Sequence, residues 1–159
     1  MKKIGLDLDG VICLIPKTIE KIWNSGALAQ FFLRGMMTVP QLRWFYNRYL
    51  RKVNEEIREF IDYLRENGWE IYIVSLNYQG CRRELERWLK INEIYYDKMF
   101  LYWGIKERTE WKSYICQKYK INLFIDDIKD FVELINRVTE TKAILYNGER
   151  FDQLVKMIK

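Results

Sequence analysis

The stretch KIGLDLDGV, residues 3–11, leads from an apolar run into two carboxylates and a glycine. Its first half is typical of a strand that is buried on both faces. Asp7 and Asp9 then stand two residues apart, and Gly10 follows where the chain must turn sharply. Two carboxylates at one point require a cation or a proton, unless they only cap a solvated turn. This strand end is therefore a candidate site for chemistry.

The rest of the chain alternates short apolar runs with amphipathic stretches. The apolar runs predict strands at residues 3–8, 70–76, 98–103, 123–127 and 142–146. Apolar residues at helical spacing predict helices at residues 54–67, 82–90, 109–119, 130–138 and 151–159. This order predicts an α/β fold, with a Rossmann-like, mostly parallel sheet of about five strands covered by helices on both faces. We expect one domain, residues 1–159.

Residues 13–50 interrupt the alternation. They contain both prolines and seven aromatic residues, which are Trp23, Phe31, Phe32, Trp44, Phe45, Tyr46 and Tyr49. The segment is too long for a simple loop and too apolar for a disordered one, so it predicts a small helical insertion over the first strand end. Residues 13–52 also hold seven basic side chains against Glu20 alone, a charge of +6 in a chain with a total of +5. This segment therefore favours an anionic substrate or partner.

The composition excludes several classes of site. The chain has no histidine, which excludes Ser-His-Asp and Cys-His catalysis and histidine-ligated metals. Its three cysteines are far apart and odd in number, which favours reduced thiols. No run approaches the roughly 20 apolar residues of a membrane span, and the first residues lack the features of a signal peptide. We therefore expect a cytoplasmic protein with no membrane partner.

A second acidic pair, Asp126-Asp127, ends another predicted strand. Parallel sheets bind their ligands beyond the carboxyl ends of the strands, so this pair can reach the first pair if the two strands are neighbours. Hard oxygen ligands in a site that also admits phosphate favour Mg²⁺. The adjacent aspartates could instead cap the helix predicted near Asp130.

These residues resemble the motifs of the haloacid dehalogenase superfamily, in the same order along the chain. The first motif is similar to residues 7–11, the second to Ser75, the third to a lysine and the fourth to Asp126-Asp127. The resemblance implies a phosphohydrolase in which Asp7 attacks phosphorus and forms an aspartyl-phosphate. It also implies that Asp9 protonates the leaving oxygen and then activates water. An acid at this position is typical of the phosphatases in the family.

The resemblance implies a Mg²⁺ site as well. The Asp7 carboxylate, the backbone carbonyl of Asp9 and the Asp127 carboxylate would hold the ion. Asp126 would lie behind them, although the sequence does not separate its role from that of Asp127.

A hydroxyl and a cation are expected beside the metal, because they position and neutralise the phosphoryl oxygens. Ser75 provides the hydroxyl. We favour Lys112 as the cation, since it stands fourteen residues before Asp126. Lys112 could instead be a solvated helix lysine, and Lys106, in the loop after Gly104, is the alternative cation.

Residues 13–50 occupy the position of the cap that covers the substrate in this family. We predict substrate contacts from Arg34 and Arg43 in this cap, and from Ser75, Asn77 and Lys112 at the sheet. The aromatic residues of the cap could stack on a nucleobase, or they could form its own core. The short cap and the first motif resemble the small 5′(3′)-deoxyribonucleotidase group, which implies a nucleotidase acting on (deoxy)nucleoside monophosphates.

Other functions fit the same residues. The protein could be a polynucleotide-end phosphatase, although nucleic acid is not the favoured partner, or it could act on another small metabolite. A non-catalytic module that binds RNA or protein is a further alternative. Two acidic pairs at one sheet edge argue against it, because a pure binding module has no need of them.

Overall fold

The structure, a computed structural model, describes residues 1–14, 39, 51–102, 104 and 107–158. Its strands are β1 (Lys3–Leu6), β2 (Cys13–Leu14), β3 (Lys52–Val53), β4 (Glu70–Tyr78), β5 (Lys98–Tyr102), β6 (Leu123–Asp126) and β7 (Lys142–Leu145). Its helices are α1 (Glu55–Glu66), α2 (Arg82–Ile91), α3 (Arg108–Tyr119), α4 (Lys129–Val138) and α5 (Phe151–Ile158). The five predicted strands and five predicted helices are all present, with ends displaced by one or two residues.

Five strands form one parallel sheet in the order β5-β4-β1-β6-β7. β1 lies at the centre, between β4 and β6, which explains why its sequence is apolar on both faces. The predicted α/β fold with a mostly parallel sheet is confirmed. Its consequence for function is that the segments after β1, β4 and β6 meet at one edge of the sheet.

Helices cover both faces of the sheet, and β4 shows why. Its residues alternate between the two cores: Ile71 and Ile73 face one, and Tyr72 and Val74 face the other. The first core also takes apolar residues from α1, α2 and α5, and the second takes them from α3 and α4. Each fully buried aliphatic side chain stabilises the folded state by about 1.5–3 kcal/mol. The two helical layers therefore hold the sheet, and with it the edge that carries the site, in place.

A short antiparallel ribbon, absent from the predicted elements, joins the sheet to the insertion. We call β2 and β3 together the neck; Cys13 lies opposite Val53, and Leu14 lies opposite Lys52. Two-residue strands carry no readable periodicity, which is why the sequence does not predict them. Most of the predicted cap, residues 13–50, lies outside the described residues.

Asn54 anchors the neck to the core. Its backbone N–H donates to the Ile12 carbonyl at 3.0 Å. Its buried side-chain amide donates to the Val11 carbonyl at 2.9 Å and to the Tyr146 hydroxyl at 2.8 Å. The described end of the insertion is therefore tied both to the loop after β1 and to the residue after β7. In the described part of the chain, no helix combines the length and apolar character needed to cross a membrane.

Candidate active site

The carboxyl ends of β1 and β6 bring the two acidic pairs together. Leu6 is paired with Ile125, and the Asp7 N–H donates to the Ile125 carbonyl at 3.0 Å. Asp7 therefore lies beside Asp126, the last residue of β6. Both are buried, with 5% and 0% of their surface exposed. The neighbouring strands on which the predicted site depends are thus present.

Lys112 extends from α3 to a position between these two carboxylates. Its Nζ lies 2.6 Å from Oδ2 of Asp126 and 3.1 Å from Oδ1 of Asp7, and its side chain is 1% exposed. Burial alone would lower the pKa of Lys112, but Asp7 and Asp126 outweigh it and raise the pKa above its ordinary value. Lys112 is therefore a buried ammonium group and not a solvated helix lysine.

The electrostatic environment of Asp7 is short of positive charge. Burial raises the pKa of the Asp7 carboxyl well above its ordinary value, and Asp126, Asp127 and Asp9 add to the effect against the opposing Lys112 ammonium. One ammonium group thus does not offset the surrounding carboxylates. A site with this imbalance is suited to an additional cation.

Asp127 completes a cluster of three carboxylates whose charge suits a divalent metal ion. One carboxylate oxygen from each of Asp7, Asp126 and Asp127 lies within 4.8 Å of the others. Burial, followed by the Asp126 charge, raises the pKa of Asp127 to about 6. A bound divalent ion would offset the negative charge of this cluster that the single Lys112 ammonium leaves unbalanced. Carboxylate oxygens with room for water and phosphate oxygens are the ligands that Mg²⁺ takes in proteins.

Gly10 provides the space for the Asp127 carboxylate. It has a φ of +93°, and a Cβ atom at this position would overlap the carboxylate of Asp127. The turn after β1 therefore requires glycine for two reasons, the left-handed backbone and the close approach.

Asp9 lies at the opening of the site and is held by donors. The Arg51 Nη2 is 2.6 Å from Oδ1 of Asp9, the Cys13 thiol donates to the same oxygen at 3.3 Å, and the Asn77 amide donates to Oδ2. Burial alone would raise the pKa of Asp9, but the Arg51 charge and these hydrogen bonds outweigh it and lower the pKa. The side chain of Asp9 is still 27% exposed, so it remains accessible from solvent.

Ser75 and Asn77 bring the end of β4 to the same place. The Asn77 side-chain amide donates to Oγ of Ser75 at 2.8 Å as well as to Asp9, and the Asn77 backbone N–H lies 3.2 Å from the same Oγ. The pairing of β4 with β5 is irregular between Ser75 and Tyr78, the stretch that contains Asn77. Asn77 thus links the Ser75 hydroxyl to the Asp9 carboxylate.

The structure brings most of the predicted site residues into one connected group, which comprises Asp7, Asp9, Ser75, Asn77, Lys112, Asp126 and Asp127. The predicted substrate contacts Arg34 and Arg43, and the alternative lysine Lys106, lie outside the described residues. Arg51 was not among the predicted site residues. Its sequence neighbourhood shows only a basic stretch, and contact with Asp9 depends on the neck, which the sequence does not reveal.

Comparisons with known proteins give similarity at the level of the fold. No protein-family model and no curated protein sequence matches the chain. A predicted phosphoglycolate phosphatase from Haemophilus somnus aligns with a TM-score of 0.66 at 13% identity over 100% of this chain and 98% of its own. A HAD-superfamily hydrolase of subfamily IA from Geobacter sulfurreducens aligns with a TM-score of 0.67 at 12% identity over 100% and 97%.

A chain of the Pnkp1/Rnl/Hen1 complex is also similar, with a TM-score of 0.66 at 15% identity. The match covers 91% of this chain but 45% of that one, so this chain spans less than half of its length. At these identities the similarity establishes a shared fold. The protein therefore has the α/β fold of hydrolases of the haloacid dehalogenase superfamily.

Proposed function

We propose that the protein is a Mg²⁺-dependent phosphohydrolase of the haloacid dehalogenase superfamily, which cleaves phosphate monoesters through an aspartyl-phosphate at Asp7. The single observation that carries this proposal is the buried Lys112 ammonium between Asp7 and Asp126, 3.1 and 2.6 Å from their oxygens. An ammonium group at this position orients one Asp7 oxygen and leaves the other for attack on phosphorus. The shared fold supports the reaction class.

Asp7 and Asp9 carry out the two covalent steps. An oxygen of Asp7 forms a bond to phosphorus while the bond from phosphorus to the ester oxygen breaks. Asp9, which must first take up a proton from solvent because Arg51 lowers its pKa, gives that proton to the departing oxygen. Asp9 then takes a proton from water, the water oxygen bonds to phosphorus, and the bond from phosphorus to Asp7 breaks. The products are an alcohol and inorganic phosphate, and both aspartates return to their initial states.

The other residues bind and orient the phosphoryl group. Ser75 and Asn77 provide hydrogen-bond donors at the end of β4, and Lys112 contributes positive charge behind Asp7. Asp7 and Asp127, with the backbone carbonyl of Asp9, would hold Mg²⁺, while Asp126 holds Lys112. When bound, Mg²⁺ supplies positive charge to the phosphoryl oxygens.

We further propose a small phosphorylated substrate of the (deoxy)nucleoside monophosphate class. This proposal is supported by the sequence of residues 13–50, where basic and aromatic side chains are concentrated. Arg34 and Arg43 remain the predicted contacts of the substrate.

A polynucleotide-end phosphatase is the second candidate. It is supported by the similarity to a chain of an RNA repair complex, and by the positive charge of the same segment. Several contacts to a phosphate backbone would make activity on an end-phosphorylated oligonucleotide fall steeply with salt. Activity on a mononucleotide should change little.

The test is release of inorganic phosphate from an aryl phosphate and from a panel of phosphorylated metabolites, with Mg²⁺ and with a chelator. Asp7→Asn should abolish turnover, whereas the matched control Asp62→Asn, at an exposed position of α1, should retain it. Absence of turnover by the wild-type protein on the whole panel would contradict the proposal, as would full activity of Asp7→Asn.

A further inference from the structure

Arg51 is a buried cation next to the neck. It directly precedes β3, its side chain is 1% exposed, and its Nη2 lies 2.6 Å from Oδ1 of Asp9. Its guanidinium carbon lies 5.6 Å from the ring centroid of Trp88, which is itself buried on α2. Burial of a guanidinium is costly and needs a well-placed carboxylate in return. The Asp9 carboxylate is therefore one group that offsets the cost of burying Arg51.

Three side chains contact the carboxylate of Asp9. Arg51 and Cys13 contact Oδ1, and Asn77 contacts Oδ2. Cys13 belongs to β2 and Arg51 directly precedes β3, so one residue within the neck and one beside it converge on the same oxygen. The orientation of Asp9 is thus set by the neck as well as by its own loop.

The exposure of the two partners indicates how Arg51 acts. The side chain of Asp9 is 27% exposed at the site opening, whereas that of Arg51 is 1% exposed behind it. Of the two groups, the Asp9 carboxylate is the more accessible to an incoming molecule. Arg51 can therefore influence the reaction through the position of the Asp9 carboxylate and not through direct contact with substrate.

We propose that Arg51 is a positioning residue for Asp9, through which the neck holds the proton-transferring carboxylate in place. This inference rests on the proposed function, because it assigns to Asp9 the proton transfers described above. A displacement of about 1 Å in a reacting group can cost about 100-fold in rate. Loss of the Arg51 contact should accordingly act on turnover and not on substrate affinity.

A purely structural role for Arg51 is the competing explanation, and a double-mutant cycle separates the two. Arg51→Met retains most of the side-chain volume beside Trp88 and removes the charge. It is compared with Arg51→Lys, with Asp9→Asn, and with the double variant Arg51→Met/Asp9→Asn. Arg58→Met, which removes a partly exposed arginine paired with Glu55 on α1, is the matched control. Steady-state kcat and KM on an aryl phosphate and thermal denaturation are measured for each protein.

In the wild-type background, Arg51→Met should lower kcat by about 10- to 100-fold and change KM by less than about threefold. In the Asp9→Asn background the same change should lower the residual kcat by less than about twofold, because its target is already absent. Arg51→Lys should recover part of the lost kcat, and Arg58→Met should match the wild type.

The other outcomes overturn the inference. An equal loss of kcat in both backgrounds shows a structural role, and an effect confined to KM shows a substrate contact. If Arg51→Met does not fold, the uncharged variant Arg51→Gln is carried through the same cycle, and a kcat equal to that of the wild type contradicts the positioning role. An inactive wild-type protein refutes the proposed function itself and this inference with it. If the wild type is active and Arg51→Met has the same kcat, the inference alone is refuted.

Discussion

Gly10 lies against the carboxylate of Asp127 so closely that a methyl group on Gly10 would overlap it. Gly10→Ala should therefore displace Asp127 from the ligand set and abolish most Mg²⁺-dependent activity. The variant should also lose about 1–2 kcal/mol of stability, because alanine is strained at the φ of +93°. Initial rates and thermal denaturation measure the two effects.

Gly148→Ala is the control for this prediction. Gly148 has a similar φ of +86°, but among the described residues other than its two chain neighbours, no atom lies within 4 Å of the position that a Cβ would take. It should show a similar loss of stability with normal activity. Comparable activity of the two variants would contradict the role given to the contact between Gly10 and Asp127.

Lys112→Met should unfold at a much lower temperature than the wild type. The change leaves Asp7 and Asp126 buried without their shared cation, and breaking a buried ion pair from one side costs about 3–5 kcal/mol. Urea denaturation measures the loss in the free energy of unfolding, and thermal denaturation measures the lower melting temperature. The control is Lys129→Met, which removes an exposed ion pair with Glu133 and should lower the free energy of unfolding by no more than about 0.5 kcal/mol. Similar losses for both variants would show that the burial of Lys112 does not add to its contribution to stability.

Mg²⁺ should stabilise the folded protein. Binding to the native state alone adds about 2.7 kcal/mol when the free ion is at 100 times its Kd. Asp127→Asn should remove most of this gain without destabilising the metal-free protein, because it relieves repulsion from Asp126. Melting temperatures with Mg²⁺ and with a chelator provide the measurement, and Asp62→Asn is the control. A Mg²⁺ shift that survives in Asp127→Asn would exclude this residue as a ligand.

Asn54→Ala should loosen the neck. It deletes a buried amide that donates to the Val11 carbonyl and to the Tyr146 hydroxyl, and it leaves both acceptors without this donor. The expected loss is about 1–3 kcal/mol. Tyr146→Phe should lose less, about 1 kcal/mol, since the Asn54 amide keeps its bond to the Val11 carbonyl and the only other bond lost among the described residues is the long one, 3.4 Å, from the Tyr146 hydroxyl to the Glu149 carbonyl. Equilibrium denaturation of both variants tests this order, and a larger loss in Tyr146→Phe would contradict it.

The elements of the sheet were predictable because they are long and regular. β1 and β6 are apolar on both faces, and α1 carries apolar residues at positions 57, 60, 61 and 64, the spacing of one helix face. The ends of the strands were harder to place. β1 ends at Leu6, two residues before the apolar run does, because the chain turns at Asp7 to form the site.

The candidate site was predictable where a motif and a strand end coincide, as for Asp7 and Asp126. Lys112 required a choice between two lysines, and the structure describes only that one, between the two aspartates. Arg51 was not predictable, since its contact with Asp9 bridges 42 positions of the chain and depends on two-residue strands that carry no pattern. Long-range polar contacts of this kind depend on three-dimensional packing and leave no local trace in sequence.

The neck has an evolutionary consequence. Because Leu14 and Lys52 lie opposite each other on antiparallel strands, the chain leaves the sheet domain and rejoins it at adjacent points. The residues between Leu14 and Arg51 can be lengthened, shortened or exchanged with little change in the positions of Asp7, Lys112 and Asp126, which lie on other elements. A chain built in this way can acquire new substrates by replacing one contiguous stretch of sequence while it keeps the same reaction.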